Sequence, residues 1–281
     1  MAPGFFSARI LDKVSHDGTT SSGTATYPPA ITRPVLMEKK LAATTKSEVA
    51  CSGVMTVGLA HAPPPSYDHP LIVVGSGTVL INDLPAARWA PSGDLVACNA
   101  QLGSPPEGVR TVLIGGPTTS ELACKELQAM IDARLAELKR WNAEDQKRLK
   151  KWFGKADEKT RKMMLARMKK MQKLLKTYDK KSFSGLLDRN KFGIYAQVDP
   201  SNDKLIELGN TFADCKAKGP NSRASVVAHE MSHFKTVGDT DDVEVKGKPT
   251  YGQKRSKALA KKDPANAQKN ADNWSYWVEG Q

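Results

Sequence analysis

The chain has 281 residues, long for one domain and comfortable for two. It carries 42 Lys+Arg against 30 Asp+Glu, a net charge of +12. Residues 1–118 hold 8 basic and 8 acidic side chains, so the whole excess falls in residues 119–281, with 34 and 22. That step in charge marks a domain boundary. No run reaches the ~18 apolar residues of a membrane span, and four irregularly spaced cysteines (Cys51, Cys98, Cys124, Cys215) are not a disulfide scaffold.

Residues 1–34 are rich in Ser, Thr, Gly and Pro and read as a flexible leader. They contain no apolar run of signal-peptide length. The chain is therefore expected to be made in the cytoplasm and exported, if at all, by a route that needs no cleaved signal.

Residues 35–118 read as β structure. Short apolar runs such as Leu71-Ile72-Val73-Val74 are punctuated by Gly and Pro. Thr78-Val79-Leu80-Ile81 recurs as Thr111-Val112-Leu113-Ile114, each after a Gly-Ser turn (Gly75-Ser76; Gly103-Ser104). The repeat predicts a small pseudo-symmetric β unit.

From Ser120 the period changes. Leu122, Leu127, Met130, Ile131, Leu135 and Leu138 recur three and four apart, and a second helical block runs from about Glu158 to Tyr178. Residues 140–181 carry 16 basic and 5 acidic side chains. No nucleic-acid-binding module is visible, so these lysines read as a solvated helix face and nucleic acid is not expected as a partner. Ile194–Val198 and Leu205–Leu208 read as short strands ahead of a helix starting near Ser222.

That helix carries His229-Glu230-Met231-Ser232-His233. Two histidines four apart sit one turn apart on one face, where one Zn²⁺ takes both imidazoles and the Glu stands by the open position. A zinc-bound water has its pKa lowered towards neutrality, and a nearby carboxylate can take its proton. A hydrolytic zinc needs a third protein ligand. No histidine follows, so the candidates are Asp239, Asp241, Asp242 and Glu244.

Two family resemblances follow from these motifs. Gly-Ser-x-Thr-Val-x-Ile-Asn-x-x-Pro85-Ala86-Ala87-Arg88, then Gly93-Asp94 and Cys98, resembles the PAAR-repeat proteins over roughly residues 45–118. The resemblance implies a three-sided β cone at the tip of a type VI secretion spike. It also implies an apical zinc, for which Cys51, His61, His69 and Cys98 are the candidates here.

The second half resembles the aspzincin, or deuterolysin-like, peptidyl-lysine metalloendopeptidases over about residues 120–281. Beside the His-Glu-x-x-His run, Thr240-Asp241-Asp242 matches the family's Thr-x-Asp, and Tyr251-Gly252 its Tyr-Gly. Trp152-Phe153-Gly154 and Asn270-Ala271-Asp272 match two further segments. Asp239 replaces a family Gly, and Val243–Thr250 is an insertion. The resemblance implies zinc on His229, His233 and Asp242. It gives Glu230 the proton transfers and Tyr251 the oxyanion, and it puts Asp272 in a pocket for the lysine after the cleaved bond.

The expected architecture is thus multidomain: leader 1–34, PAAR-like β cone 35–118, and a mainly helical α+β zincin-type protease 119–281. The expected function is a type VI effector delivering a zinc endopeptidase into a rival or host cell. A trimeric valine-glycine-repeat spike, a cognate immunity protein and a protein or peptide substrate would be its partners. Rival readings are an inert spike-tip adaptor and a basic domain for nucleic acid or other polyanions.

Overall fold

A computed structural model describes all residues except 1–3, 16–22, 26–33, 52–69, 90–91, 99–100, 103–110, 189–190 and 192. By internal contacts the chain divides into two compact units. The first holds residues 1–122, 180–197 and 207–215; the second holds 123–179, 198–206 and 216–281. Sequence placed one boundary, at 118/119. Residues 180–197 and 207–215 join the first unit through long-range hydrogen bonds: Cys98 N–H donates to Leu186 O (2.7 Å) and Leu71 N–H to the Asn210 side chain (3.0 Å).

The first unit is built from short antiparallel pairs, such as Phe5–Phe6 with Leu113–Ile114 and Ile72–Val74 with Leu95–Val96. Three segments close a ring at its centre. Ala8 N–H donates to Ala87 O (2.9 Å), Ala87 N–H to Ala43 O (3.0 Å), and Ala43 N–H to Ala8 O (3.0 Å). All three alanines are buried. A side chain larger than a methyl would crowd this approach, which accounts for Ala in each place. The expectation of a flexible leader over residues 1–34 does not hold for residues 4–15. Residues 4–15 are part of the fold, because Ala8, Ile10 and Val14 have apolar positions to fill.

The two sequence repeats form equivalent edges: Leu80 and Leu113 point to solvent, while Ile81 and Ile114 enter one small core with Ala42 and Ala86. Arg88 is fully buried and bound to Asp94, Nη2 to Oδ1 at 2.6 Å and Nε to Oδ1 at 3.1 Å. Its Nη1 also donates to Gly116 O (2.6 Å). The Pro85-Ala86-Ala87-Arg88 run is thus a structural knot, with each residue committed to backbone pairing or burial.

The second unit is carried by helices α1 (Thr119–Arg140), α2 (Ala143–Phe153), α3 (Glu158–Leu175), α4 (Arg223–His233), α5 (Gln253–Lys262), α6 (Pro264–Ala267) and α7 (Ala271–Glu279). Helix α2 starts at a capping box: Asn142 Oδ1 accepts from Asp145 N–H, and the Asp145 carboxylate accepts from Asn142 N–H. It stops at Gly154, in the left-handed region at φ 71°. In α3 the buried stripe Met164, Met168, Met171 and Leu175 follows four-three-four spacing. Each such side chain contributes roughly 1.5–3 kcal/mol by leaving water, while the intervening lysines stay outside.

Aromatic packing fixes α7. Tyr276 stacks on Trp152 at 5.3 Å, and Phe153 meets Trp277 edge-on at 5.5 Å. The Trp152-Phe153-Gly154 run therefore ends one helix and seats another. Among the described residues no helix is long and apolar enough to cross a membrane.

Candidate active site

Helix α4 is capped by Ser222, whose hydroxyl accepts from Ser225 N–H (3.2 Å). Most of its side chains are buried; His229 and His233 lie on its partly exposed face. Their rings meet edge-on, centroids 5.0 Å apart, as expected for i and i+4. The helix ends after His233 and the chain folds back. Gly238 allows this turn: a Cβ there would lie 2.6 Å from Ser232 O. Thr240 then lies along the helix, its N–H on Ser232 O (3.2 Å) and its hydroxyl on the Ser232 hydroxyl (2.6 Å).

Each histidine has one nitrogen held by the protein. His233 Nδ1 donates to Thr240 O (2.8 Å), and His229 Nδ1 lies 3.1 Å from Asp272 Oδ1. Both Nε2 atoms are left facing Asp242, whose Oδ1 is 3.2 Å from that of His229 and 3.9 Å from that of His233. Among the described residues His229, His233 and Asp242 form the one such cluster, with donor atoms within 4.8 Å of one another. Tetrahedral zinc with bonds near 2.0–2.1 Å needs donors about 3.3 Å apart.

Asp242 Oδ1 is buried and accepts no hydrogen bond among the described residues. A buried carboxylate oxygen without a donor is costly unless a cation meets it. Two imidazoles, each braced by an oxygen on its far side, and one carboxylate suit Zn²⁺ with a vacant fourth position. Asp239, Asp241 and Glu244, the other sequence candidates, are exposed and outside the cluster.

Glu230 is 6% exposed. Burial pushes its carboxyl up to about 7, with His229 pulling down and Asp242 pushing up. A carboxyl near neutrality is suited to taking and returning a proton. Burial opposes charge on His229, yet the Asp242 and Asp272 carboxylates beside its ring outweigh it and raise its pKa to about 10. Two carboxylates around one imidazole thus call for a positive charge between them.

Tyr251 is half exposed and donates from its hydroxyl to Asp242 Oδ2 (2.8 Å). Burial and the Asp242 carboxylate push its pKa up, so it stays a proton donor. The segment inserted before Tyr251 returns it to the metal cluster. Glu244–Val245 pairs antiparallel with Lys248–Pro249, and Thr250 N–H reaches Val243 O (2.9 Å). Continuing that register sets Asp242 opposite Tyr251.

Asp272, which the resemblance assigns to a lysine pocket, is engaged inside the site. One oxygen meets His229, and the other accepts from Gly252 N–H (2.6 Å). A substrate lysine would have to share them. Around it lies a scaffold that sequence reading missed. Asp241 N–H reaches Lys269 O (2.8 Å) and Ala271 N–H reaches Asp241 O (3.0 Å). Asn270 accepts from Val243 N–H (3.0 Å), and buried Asn273 donates to Trp152 O (2.5 Å) and Ser256 O (2.9 Å). The only sequence signal was two asparagines flanking an Asp at a helix start.

Of the residues proposed for a zinc in the first unit, His61 and His69 lie outside the described residues. Cys51 is in a strand, and Cys98 is buried.

A buried glutamate between two helix histidines, closed by a carboxylate, is the donor arrangement of a metal-dependent peptide hydrolase. The pattern described as "Lysine-specific metallo-endopeptidase" (Aspzincin_M35) matches residues 139–279, half of the chain, and the chain belongs to this family of zinc-dependent endopeptidases. A peptidyl-Lys metalloendopeptidase of Pleurotus ostreatus is 39% identical over 87 residues, 31% of this chain and 48% of that protein. An extracellular protease of Aeromonas hydrophila is 37% identical over 89 residues, 32% of this chain and 24% of that protein. The chain thus spans half or less of the length of these relatives. A solved zinc peptidase from Grifola frondosa aligns at 27% identity and a TM-score of 0.47, over 57% of this chain and 92% of that one.

Proposed function

We propose that this chain is a zinc endopeptidase that cuts peptide bonds before lysine. The observation that carries the reading is the closure of His229, His233 and Asp242 into one donor cluster beside buried Glu230. The names of the relatives support the lysine preference.

His229 and His233 through Nε2, and Asp242 through Oδ1, would hold the metal. When bound, zinc supplies Lewis acidity to water and to the scissile carbonyl. Glu230 takes the proton of the attacking water and returns it to the leaving amine. Tyr251 turns its hydroxyl from Asp242 to the developing oxyanion. Asp272 keeps Nδ1 of His229 protonated, so Nε2 stays the free donor. It is also the carboxylate for the lysine ammonium, since a carboxylate offers about four lone-pair directions and two are used among the described residues.

The first unit extends the reading. The ring of Ala8, Ala43 and Ala87 and the Pro85-Ala86-Ala87-Arg88 knot support a three-sided PAAR-like tip. Such a tip would seat on a trimeric valine-glycine-repeat spike and carry the peptidase out through a type VI system. An immunity protein would then guard the producing cell, and Cys51, His61, His69 and Cys98 would be the donors for an apical zinc.

The test is digestion of a denatured lysine-rich protein by the zinc-loaded chain beside Glu230→Ala, with new termini read by mass spectrometry. Fragments beginning with lysine, absent from the variant, are expected. Zinc binding without any cleavage would favour the inert adaptor.

A further inference from the structure

The hairpin Val243–Thr250 departs from the family spacing, and beyond setting Tyr251 opposite Asp242 its own side chains have no role in the scheme above. Its register is set by Glu244 opposite Pro249 and Val245 opposite Lys248. Side chains alternate faces along a strand. Val243 packs against the buried Leu259, Ala260 and Ala267, and Thr250 is buried opposite it. At the base of the hairpin this face therefore looks into the protein, while Val245 further along it is exposed. The other face holds Asp242 and Tyr251 at the metal cluster and, one pleat further out, Glu244 and Pro249.

The base of the hairpin is fixed. Val243 N–H donates to the Asn270 side chain (3.0 Å), and Arg255 Nη1 donates to Pro249 O (3.0 Å). Lys246, at φ 56°, and Gly247, at φ 70°, make the tight turn. Lys248 pairs with Val245 on the opposite face, so it does not lie beside Glu244. Glu244 is exposed. Among the described residues no hydrogen bond or ion pair engages its carboxylate, which stands on a braced strand, on the face that leads away from the zinc donors.

We propose that this hairpin is a wall of the substrate cleft and that Glu244 is a specificity-determining residue. It would take a basic side chain of the peptide, in addition to the lysine that flanks the cut. The spacing defines which one. Alternate residues of a strand lie about 6.6–6.8 Å apart, the step from Asp242 to Glu244. An extended substrate has the same step, so the residue two positions from the one at the metal cluster meets Glu244. This rests on the peptidase reading.

The test uses zinc-loaded full chain and quenched fluorescent peptides with lysine after the scissile bond. Lys, Ala or Glu is placed two residues before the cut in one set and two after in another. Wild type, Glu244→Gln and Glu244→Lys are compared for kcat, KM and zinc affinity. Wild type is expected to prefer Lys in one of the two sets. Glu244→Gln should raise KM for that peptide roughly fivefold, the scale of an exposed ion pair, with kcat and zinc affinity unchanged. Glu244→Lys should turn the preference towards Glu. Retention of the wild-type preference by both variants would overturn the proposal and leave the peptidase reading intact. A wild type that binds zinc but cuts none of the peptides would overturn the peptidase reading, and this proposal with it.

Discussion

Asp242 and Tyr251 are nine positions apart, and their side chains meet at 2.8 Å across the base of a two-stranded hairpin. The inserted segment has an even number of residues between two cross-strand partners. Any odd change in its length would turn one of the two side chains to the opposite face.

Tyr251→Phe removes one hydrogen bond to Asp242 and the proposed oxyanion donor together. Loss of a single oxyanion donor costs about 10²–10³ in kcat. KM is expected to change little, and zinc affinity to fall less than on loss of a histidine brace, because His229 and His233 keep theirs while Asp242 loses one donor. Steady-state kinetics with zinc titration reads both; an unchanged kcat would remove Tyr251 from the chemistry.

Asp272→Ala should act first on the metal. It strips His229 Nδ1 of its acceptor and frees Gly252 N–H. Loss of such a brace typically weakens metal binding about 10–100-fold. A residue serving only to pair with substrate lysine would alter KM and leave zinc affinity alone, so competition with a zinc chelator separates the two roles.

Acid should uncap α2. The side-chain hydrogen bond from Arg140 and the backbone N–H of Asn142 hold the Asp145 carboxyl below its ordinary 3.8. A group with a lowered folded pKa stabilises above the unfolded value, and that contribution is lost as pH falls through the folded one. Wild type should therefore melt above Asp145→Ala at pH 5–7, and the gap should close well below pH 3.8. A gap that persists at pH 2 would mean that packing, not charge, is responsible.

Asp94→Ala leaves the Arg88 guanidinium buried without its counter-charge. Breaking such a pair costs about 3–5 kcal/mol, visible as a lower denaturant midpoint. Replacing both partners with apolar residues of similar volume should recover most of it. A mild single variant would place Arg88 nearer to solvent than the structure does.

The metal-binding helix could be read directly because its information is local: two histidines at one-turn spacing and a serine cap seven residues before the first. Spacing alone left Asp242 as one of four carboxylates, and only the family resemblance singled it out, since the fold-back at Gly238 and the Ser232–Thr240 contact join residues that no periodicity relates. Residues 4–15 were misread for a related reason. The composition of residues 1–34 is that of a loose arm, and the partners of Ala8 lie 35 and 79 residues further on. The segment of Asn270 and Asn273 was legible as a family match, but their bracing role was not, because a buried asparagine spent on backbone groups looks like any polar residue in a sequence.

The hydrogen bonds from Asp241 to Ala271 and from Gly252 to Asp272 also set an order in time. During synthesis the two histidines emerge some forty residues before the carboxylate that braces one of them. A ribosome-bound chain ending before α7 has the zinc-binding run but not its support. Under the proposed reading, a polypeptide so full of lysines would therefore gain its complete metal site only after its own helical unit has closed.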